Sequence, residues 1–214
     1  MADPNTQAPL TVGFDLDMTL IDSRPGIKYT YDLVAEEFGV PIDSELVISR
    51  LGPPVEREMA HWFPPERVQE VSDRYRQLYA VHGVDGCDPL PGAVESLAAV
   101  RELGGRALVV TGKHTPNAVL CLKSAGMADA VSEVFGDVFA EGKGEILITE
   151  GAAVYVGDHL GDLVAARTAG AVGVGVATGP YTAAELTAEG ADVSLPDLTG
   201  FPAWLAGYAG RASG

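Results

Sequence analysis

Basic side chains are scarce in this chain. Fourteen lysines and arginines stand against thirty aspartates and glutamates, a formal charge of −16 over 214 residues. That deficit excludes a general nucleic-acid binder, which needs a basic footprint against phosphates, and it disfavours docking on anionic lipid. Cysteine is nearly absent too. Cys87 and Cys121 form neither a CxxC pair nor a disulfide framework, so a reducing, cytoplasmic setting is expected, with both thiols serving as small apolar side chains. No apolar run approaches the roughly 18 residues of a membrane-spanning helix. The longest candidate, residues 169–178, is interrupted by Gly170, Gly173 and Gly175. The start, Met1-Ala2-Asp3-Pro4-Asn5, carries no basic region and no apolar stretch of the signal type.

What is present is an ordinary globular composition. Apolar residues make up 47% and charged residues 21%, enough apolar surface to bury a core. At about 150 residues per domain, the length fits one large domain or one carrying an insert. Short apolar runs at residues 10–14, 107–110, 152–156 and 172–176 are predicted to be strands buried on both faces, with weaker ones at 130–135 and 191–195. Helical patterns fall between them, at 93–103, 116–125, 144–149, 163–169 and 183–188. This alternation predicts an α/β fold: a doubly wound, Rossmann-like parallel sheet with helices on both faces.

Between Ile21 and about Cys87 the pattern is helical only. Ile27, Tyr31, Val34 and Phe38 share one stripe, which Gly39 is placed to end. Val68, Val71, Tyr75 and Leu78 share another, opened by Pro64-Pro65 with Gly83 beyond it. Shorter helices fit at 44–49 and 55–62. The predicted organisation is a split core, residues 1–20 and 88–214, with residues 21–87 inserted as a helical unit after the first strand. Tyr31, Tyr75 and the other large side chains of these stripes are expected to be core.

Four clusters could carry chemistry. Asp15 and Asp17 follow the first strand two apart, a spacing that tends to point both carboxylates to one side, though Asp is also common where strands end. Thr111-Gly112 ends another strand; a hydroxyl and a glycine amide there suit an anion, and an ordinary turn would look the same. Lys143 lies between Gly142 and Gly144 before a short helix, a usual setting for a solvated lysine. Asp158 follows the run Val154-Tyr155-Val156-Gly157, and Asp162 stands four residues on, where a helix N-cap is natural. Three of these clusters sit at carboxyl ends of predicted parallel strands, and Lys143 follows the weaker one. In a doubly wound sheet those ends share the edge where ligands bind. Carboxylates gathered there need a cation between them, and hard oxygen ligands favour Mg²⁺.

Taken together, the motifs resemble those of the haloacid dehalogenase superfamily. DLDMT at 15–19, VVTG at 109–112, Lys143 and GDHLGD at 157–162 stand in the family's order, and Asp22-Ser23 and Leu90-Pro91-Gly92-Ala93 also fit. The insert is similar to the helical cap of the first type found in phosphoglycolate phosphatase and β-phosphoglucomutase-like members. Two positions depart from the family pattern: Met18 replaces the Gly of DxDGT, and Gly144 follows the lysine where Pro is common.

The resemblance implies an Mg²⁺-dependent phosphatase acting on a small phosphorylated metabolite through an aspartyl-phosphate. By it, Asp15 is the nucleophile and Asp17 the general acid and base. Asp15, the Asp17 carbonyl and Asp158 would bind Mg²⁺, and Asp162 either assists the metal or caps its helix. Thr111 and Gly112 would hold the phosphoryl oxygens while Lys143 neutralises charge. An Asp is already ionised at neutral pH and needs no base to attack. Arg50 and Lys113 are candidate substrate contacts, each otherwise an ordinary solvated cation. Asp17 favours phosphoryl transfer over dehalogenation, because the family's dehalogenases lack the second Asp. Two alternatives are a sugar phosphomutase of the same family and a non-enzymatic phospho-Asp signalling domain. The second is opposed by motif order, since receiver domains carry their phosphorylated Asp mid-chain.

Overall fold

The structure, a computed structural model, describes residues 10–212; the N-terminal pentapeptide considered above lies outside the described residues. Strand β1 (Thr11–Phe14) is buried along its whole length. It is flanked by two further parallel strands, β4 (Arg106–Val110) and β6 (Val154–Gly157). β5 (Glu133–Phe135), β7 (Val172–Val176) and β8 (Val193–Leu195) complete a six-stranded sheet of order β5-β4-β1-β6-β7-β8. Every pairing in it is parallel. The order reverses at β1, so β1, β4 and β6 deliver their carboxyl ends to one crevice, the ligand edge of such sheets.

The predicted runs and the observed strands agree to within two or three residues. Helices α5 (Ala93–Glu102), α6 (Thr115–Ser124), α7 (Glu141–Thr149), α8 (Leu160–Ala169) and α9 (Ala183–Ala188) connect them. α10 (Phe201–Ala212) was not anticipated; its Phe201 packs edge-on against Phe14 of β1 with ring centroids 5.5 Å apart.

Between β1 and β4 lie α1 (Arg24–Phe38), α2 (Ser44–Ile48), α3 (Val55–Met59) and α4 (Pro65–His82). Gly39 ends α1 with φ 66°, a left-handed cap that a side chain would strain. Gly83 after α4 stays right-handed, at φ −93°. The helical stretch is not helical throughout: β2 (Ile21–Asp22) pairs antiparallel with β3 (Asp88–Pro89), tying its entry to its exit.

Cys87 and Cys121 are free, buried thiols, and they meet: their Sγ atoms lie 3.0 Å apart. The hydrogen bond from Cys87 holds the Cys121 thiol below its usual range, working with the nearby Lys113 charge against burial. The pair is thus a polar contact between the end of the helical stretch and α6, where apolar filling was expected. Among the described residues, no helix is long and apolar enough to cross a membrane.

Candidate active site

The chain turns sharply beyond β1. The N–H groups of Thr19, Leu20 and Ile21 all donate to the Leu16 carbonyl, at 3.3, 2.9 and 3.1 Å. This turn tucks Asp15 against the sheet edge and leaves Asp17 partly open. Met18 takes φ 60°, a left-handed conformation that costs a non-glycine residue roughly 1–2 kcal/mol. The position that reads Gly in DxDGT therefore keeps the glycine conformation with a buried methionine in it.

Asp15, Asp158 and Asp162 are all buried, and each offers an oxygen within 4.8 Å of the others. Lys143 lies among them, only 1% exposed. Its Nζ is 3.0 Å from Asp15 Oδ2 and 2.7 Å from Asp162 Oδ1. The lysine is held there because α7 begins at Glu141, earlier than the pattern suggested, placing Lys143 in the first helical turn rather than a solvated loop. Gly144 permits the close approach of α7 to α8, since a Cβ there would stand 2.6 Å from the Thr168 side chain.

One ammonium among three carboxylates leaves negative charge uncompensated. Burial raises Asp15 to about 6, with Lys143 pulling it back and Asp162 pushing it further up. Burial, then the charges of Asp162 and Asp15, raise Asp158 well above the usual carboxylate range. For Lys143, burial opposes the charge, but Asp15 and Asp162 outweigh it and the ammonium is stabilised. Lys143 bridges Asp15 to Asp162, so Asp158 is the one of the three carboxylates that the ammonium does not contact, and it faces both of the others.

The donor set, buried carboxylate oxygens, suits a hard divalent ion. Two glycines let the backbone pass close against these carboxylates. A Cβ on Gly179 would lie 1.8 Å from Asp158 Oδ2, and one on Gly157 would lie 2.3 Å from Asp162 Oδ2. The cluster fits a metal.

Asp162 is not the helix N-cap. α8 starts at Leu160 with His159 as its cap: His159 Nδ1 accepts from the Gly161 N–H at 2.9 Å, and Asp162 Oδ2 accepts from the His159 N–H at 3.0 Å. Asp162 thus closes a capping box with one oxygen and holds Lys143 with the other. The choice between cap and active-site residue does not arise, because a carboxylate three residues into a helix can serve both. Thr111 and Gly112, at the end of β4, line a cavity of about 70 Å³ together with Asp15 and Asp17. One pocket therefore holds a carboxylate pair, a threonine and a glycine amide beside a buried lysine.

Residues 12–176 match the family of haloacid dehalogenase-like hydrolases. The chain belongs to that family. Similar proteins include the phosphoglycolate phosphatase of Neisseria meningitidis serogroup A, 30% identical over 188 residues that cover 78% of this chain and 80% of the relative. That of Caulobacter vibrioides is 27% identical over 90% of this chain and 89% of its own. With these relatives, the chain is a phosphatase of this hydrolase family. The fold is shared with a haloacid dehalogenase-like hydrolase of Streptococcus pneumoniae (TM-score 0.78, 23% identity, 94% and 98% of the two chains). It is shared also with a family hydrolase of Deinococcus radiodurans solved with bound phosphate and sodium (TM-score 0.66, 22% identity, 95% and 98%).

In this hydrolase the two candidate substrate cations part company. Lys113 is not solvated: its side chain is 7% exposed, with Nζ 2.8 Å from Asp17 Oδ1 and 4.1 Å from the Tyr79 ring centroid, and it lines the cavity. Burial disfavours its charge, but Asp17 and the paired cysteines outweigh that and raise it. Arg50 lies outside this cavity, paired with Glu58 at 2.5 Å. Three further residues support the carboxylates and the turn, and of these Tyr155 and Thr178 carried no functional signal of their own in the sequence. The Thr19 hydroxyl donates to Asp158 Oδ1 at 2.8 Å. The Tyr155 hydroxyl donates to the Val110 carbonyl at 2.6 Å and to Asp162 Oδ1 at 3.3 Å, and the Thr178 hydroxyl donates to the Met18 carbonyl at 2.5 Å. Thr19 was within reach of inference, since it ends the first motif and a hydroxyl beside a buried carboxylate is a common companion.

Proposed function

We propose that this phosphatase hydrolyses a small phosphomonoester, with phosphoglycolate among the candidates, through an aspartyl-phosphate on Asp15. The observation that carries this is the buried contact of Asp15 with Lys143 beside Asp158, at the mouth of β1. Asp15 Oδ1 is held by the Leu16 N–H at 2.7 Å and Oδ2 by Lys143, which fixes the carboxylate for attack on phosphorus. The ester bond to the leaving alcohol breaks as the Asp15–phosphorus bond forms. Asp17, the more open of the two aspartates, gives a proton to the departing oxygen and then takes one from the water that hydrolyses the acyl phosphate. Thr111 and the Gly112 N–H hold phosphoryl oxygens, and Lys143 supplies the positive charge that meets the developing negative one.

Asp15, the Asp17 carbonyl and Asp158 would hold Mg²⁺, with Asp162 behind them; when bound, the ion offsets the repulsion between carboxylate and phosphate. Residues 21–87 act as the cap of this site, with residues 1–20 and 88–214 as its core. At a net charge of −16 the protein repels anions at long range, so attraction for phosphate has to be local. A cytoplasmic setting accords with the two free thiols.

The test is phosphate release from a panel of phosphomonoesters with Mg²⁺, with and without excess chelator, against Asp15→Asn. Release that needs the metal and disappears in the variant supports the reading; robust turnover in excess EDTA overturns the metal assignment. Net release of inorganic phosphate in a single turnover, rather than return of phosphate to the substrate, separates hydrolysis from a mutase.

A further inference from the structure

Four buried tyrosines stand near this site, and they divide two and two. Tyr79 is hydrogen-bonded through its hydroxyl to Cys87 Sγ at 3.2 Å, and Tyr155 through its hydroxyl to the Val110 carbonyl. Tyr31 of α1 and Tyr75 of α4 are 3% and 8% exposed, yet neither hydroxyl meets a hydrogen-bond partner among the described residues. Their rings pack together with centroids 4.7 Å apart. Both were expected to be core, and a buried tyrosine hydroxyl normally finds a partner. The reason these two do not is their position: they line the cavity that Asp15, Asp17, Thr111 and Lys113 also line.

Two further features define what that cavity takes. It is small, about 70 Å³, and the loop before α3 runs against one side of it, since a Cβ on Gly112 would stand 2.7 Å from the Gly52 carbonyl oxygen. Beside a phosphate such a space suits a short leaving group. Apart from the tyrosine hydroxyls, the walls contributed by residues 21–87 are apolar: Ile27, Leu51, Pro53 and Val55.

We propose that the Tyr31 and Tyr75 hydroxyls form the leaving-group subsite of this phosphatase, donating hydrogen bonds to an acceptor oxygen, hydroxyl or carboxylate, carried a carbon or two beyond the ester oxygen of a short phosphorylated alcohol. This rests on the phosphatase reading above and extends it to the alcohol half of the substrate. A site built to hydrogen-bond such an oxygen rejects an analogue lacking it, because its own buried polar groups are then left unpaired. Lys113 stands in the same cavity as the charge that favours the carboxylate form of the acceptor.

The experiment compares ethyl phosphate, 2-hydroxyethyl phosphate and phosphoglycolate, with p-nitrophenyl phosphate as a generic ester, in the wild type, Tyr31→Phe and Tyr75→Phe with Mg²⁺. The phenylalanine variants keep the ring packing and lose only the hydroxyls. Expected is a preference of about tenfold or more for an acceptor-bearing ester over ethyl phosphate in the wild type, with each variant cutting that ratio severalfold, chiefly through KM. The hydroxyl and carboxylate esters show which acceptor is read. Equal use of all three short esters, or variants that keep the wild-type ratio, overturns the subsite while leaving the phosphatase reading standing. No phosphate release from any ester, the generic one included, overturns that reading and the subsite with it.

Discussion

Lys143 Nζ lies 2.7 Å from Asp162 Oδ1, while the other oxygen of the same carboxylate closes the capping box of α8. Helix start and the hold on the buried ammonium are thereby one construction, and its two halves are separable. Asp162→Asn keeps an oxygen for the His159 N–H but gives up the charge facing Lys143 and turns an amide NH2 towards that ammonium. It is expected to lower both thermal stability and kcat through the lost partner of Lys143. Asp162→Ala gives up both, with a further loss of about 1 kcal/mol from the cap. Denaturation midpoints and kcat for the two variants check this; equal midpoints would show that the capping bond contributes nothing.

Lys143→Met removes the ammonium and leaves Asp15 and Asp162 buried without their common partner. Truncating one member of a buried charge cluster typically costs about 3–5 kcal/mol. For catalysis, losing a preorganised charge at the phosphoryl group is expected to lower kcat by about 10²–10³-fold. Added Mg²⁺ restores part of the stability and little of the rate, a contrast that thermal melts and steady-state kinetics read directly.

Stability should depend on pH and metal together. Burial, opposed by Lys143, raises the Asp15 carboxyl from 3.8 to about 6. Across that window the folded metal-free protein holds a proton that the unfolded chain has released, so rising pH weakens the fold through this group. A divalent ion competes with that proton and is bound best by the ionised form. The increase in Tm on adding Mg²⁺ is therefore expected to be larger at pH 8 than at pH 5. An equal increase at both values would place the ion away from Asp15.

Thr19→Val deletes the hydroxyl that donates to Asp158 at 2.8 Å without changing side-chain volume. Groups that orient a metal ligand typically contribute about 10–100-fold to metal affinity, and a loss in that range is expected in the Mg²⁺ dependence of turnover. At saturating Mg²⁺ kcat should recover, which a change in the nucleophile itself would not allow.

Much of this could be seen in the sequence because period and punctuation agree. The valine-rich runs after residues 10, 106, 153 and 171 have no polar face, which leaves burial in a parallel sheet as their natural fate. Asp15, Thr111 and Asp158 then followed as residues at strand ends. What could not be seen was set by contacts distant in the chain. Nothing near Lys143 signals burial, since its two carboxylate partners come from the turn after β1 and the first turn of α8. Tyr31 and Tyr75 sit on apolar stripes, and only the packing of α1 against α4 over the β1 turn turns them towards a cavity. The pairing of Cys87 with Cys121 spans 34 residues, and no spacing rule reaches that far.

The most direct measurement is to trap the phosphorylated enzyme. Acid quenching during turnover of a ³²P-labelled substrate, followed by borohydride reduction and peptide mapping, should place the label on Asp15 and show none in Asp15→Asn. Label on another residue, or wild-type turnover by Asp15→Asn, would contradict Asp15 as the nucleophile.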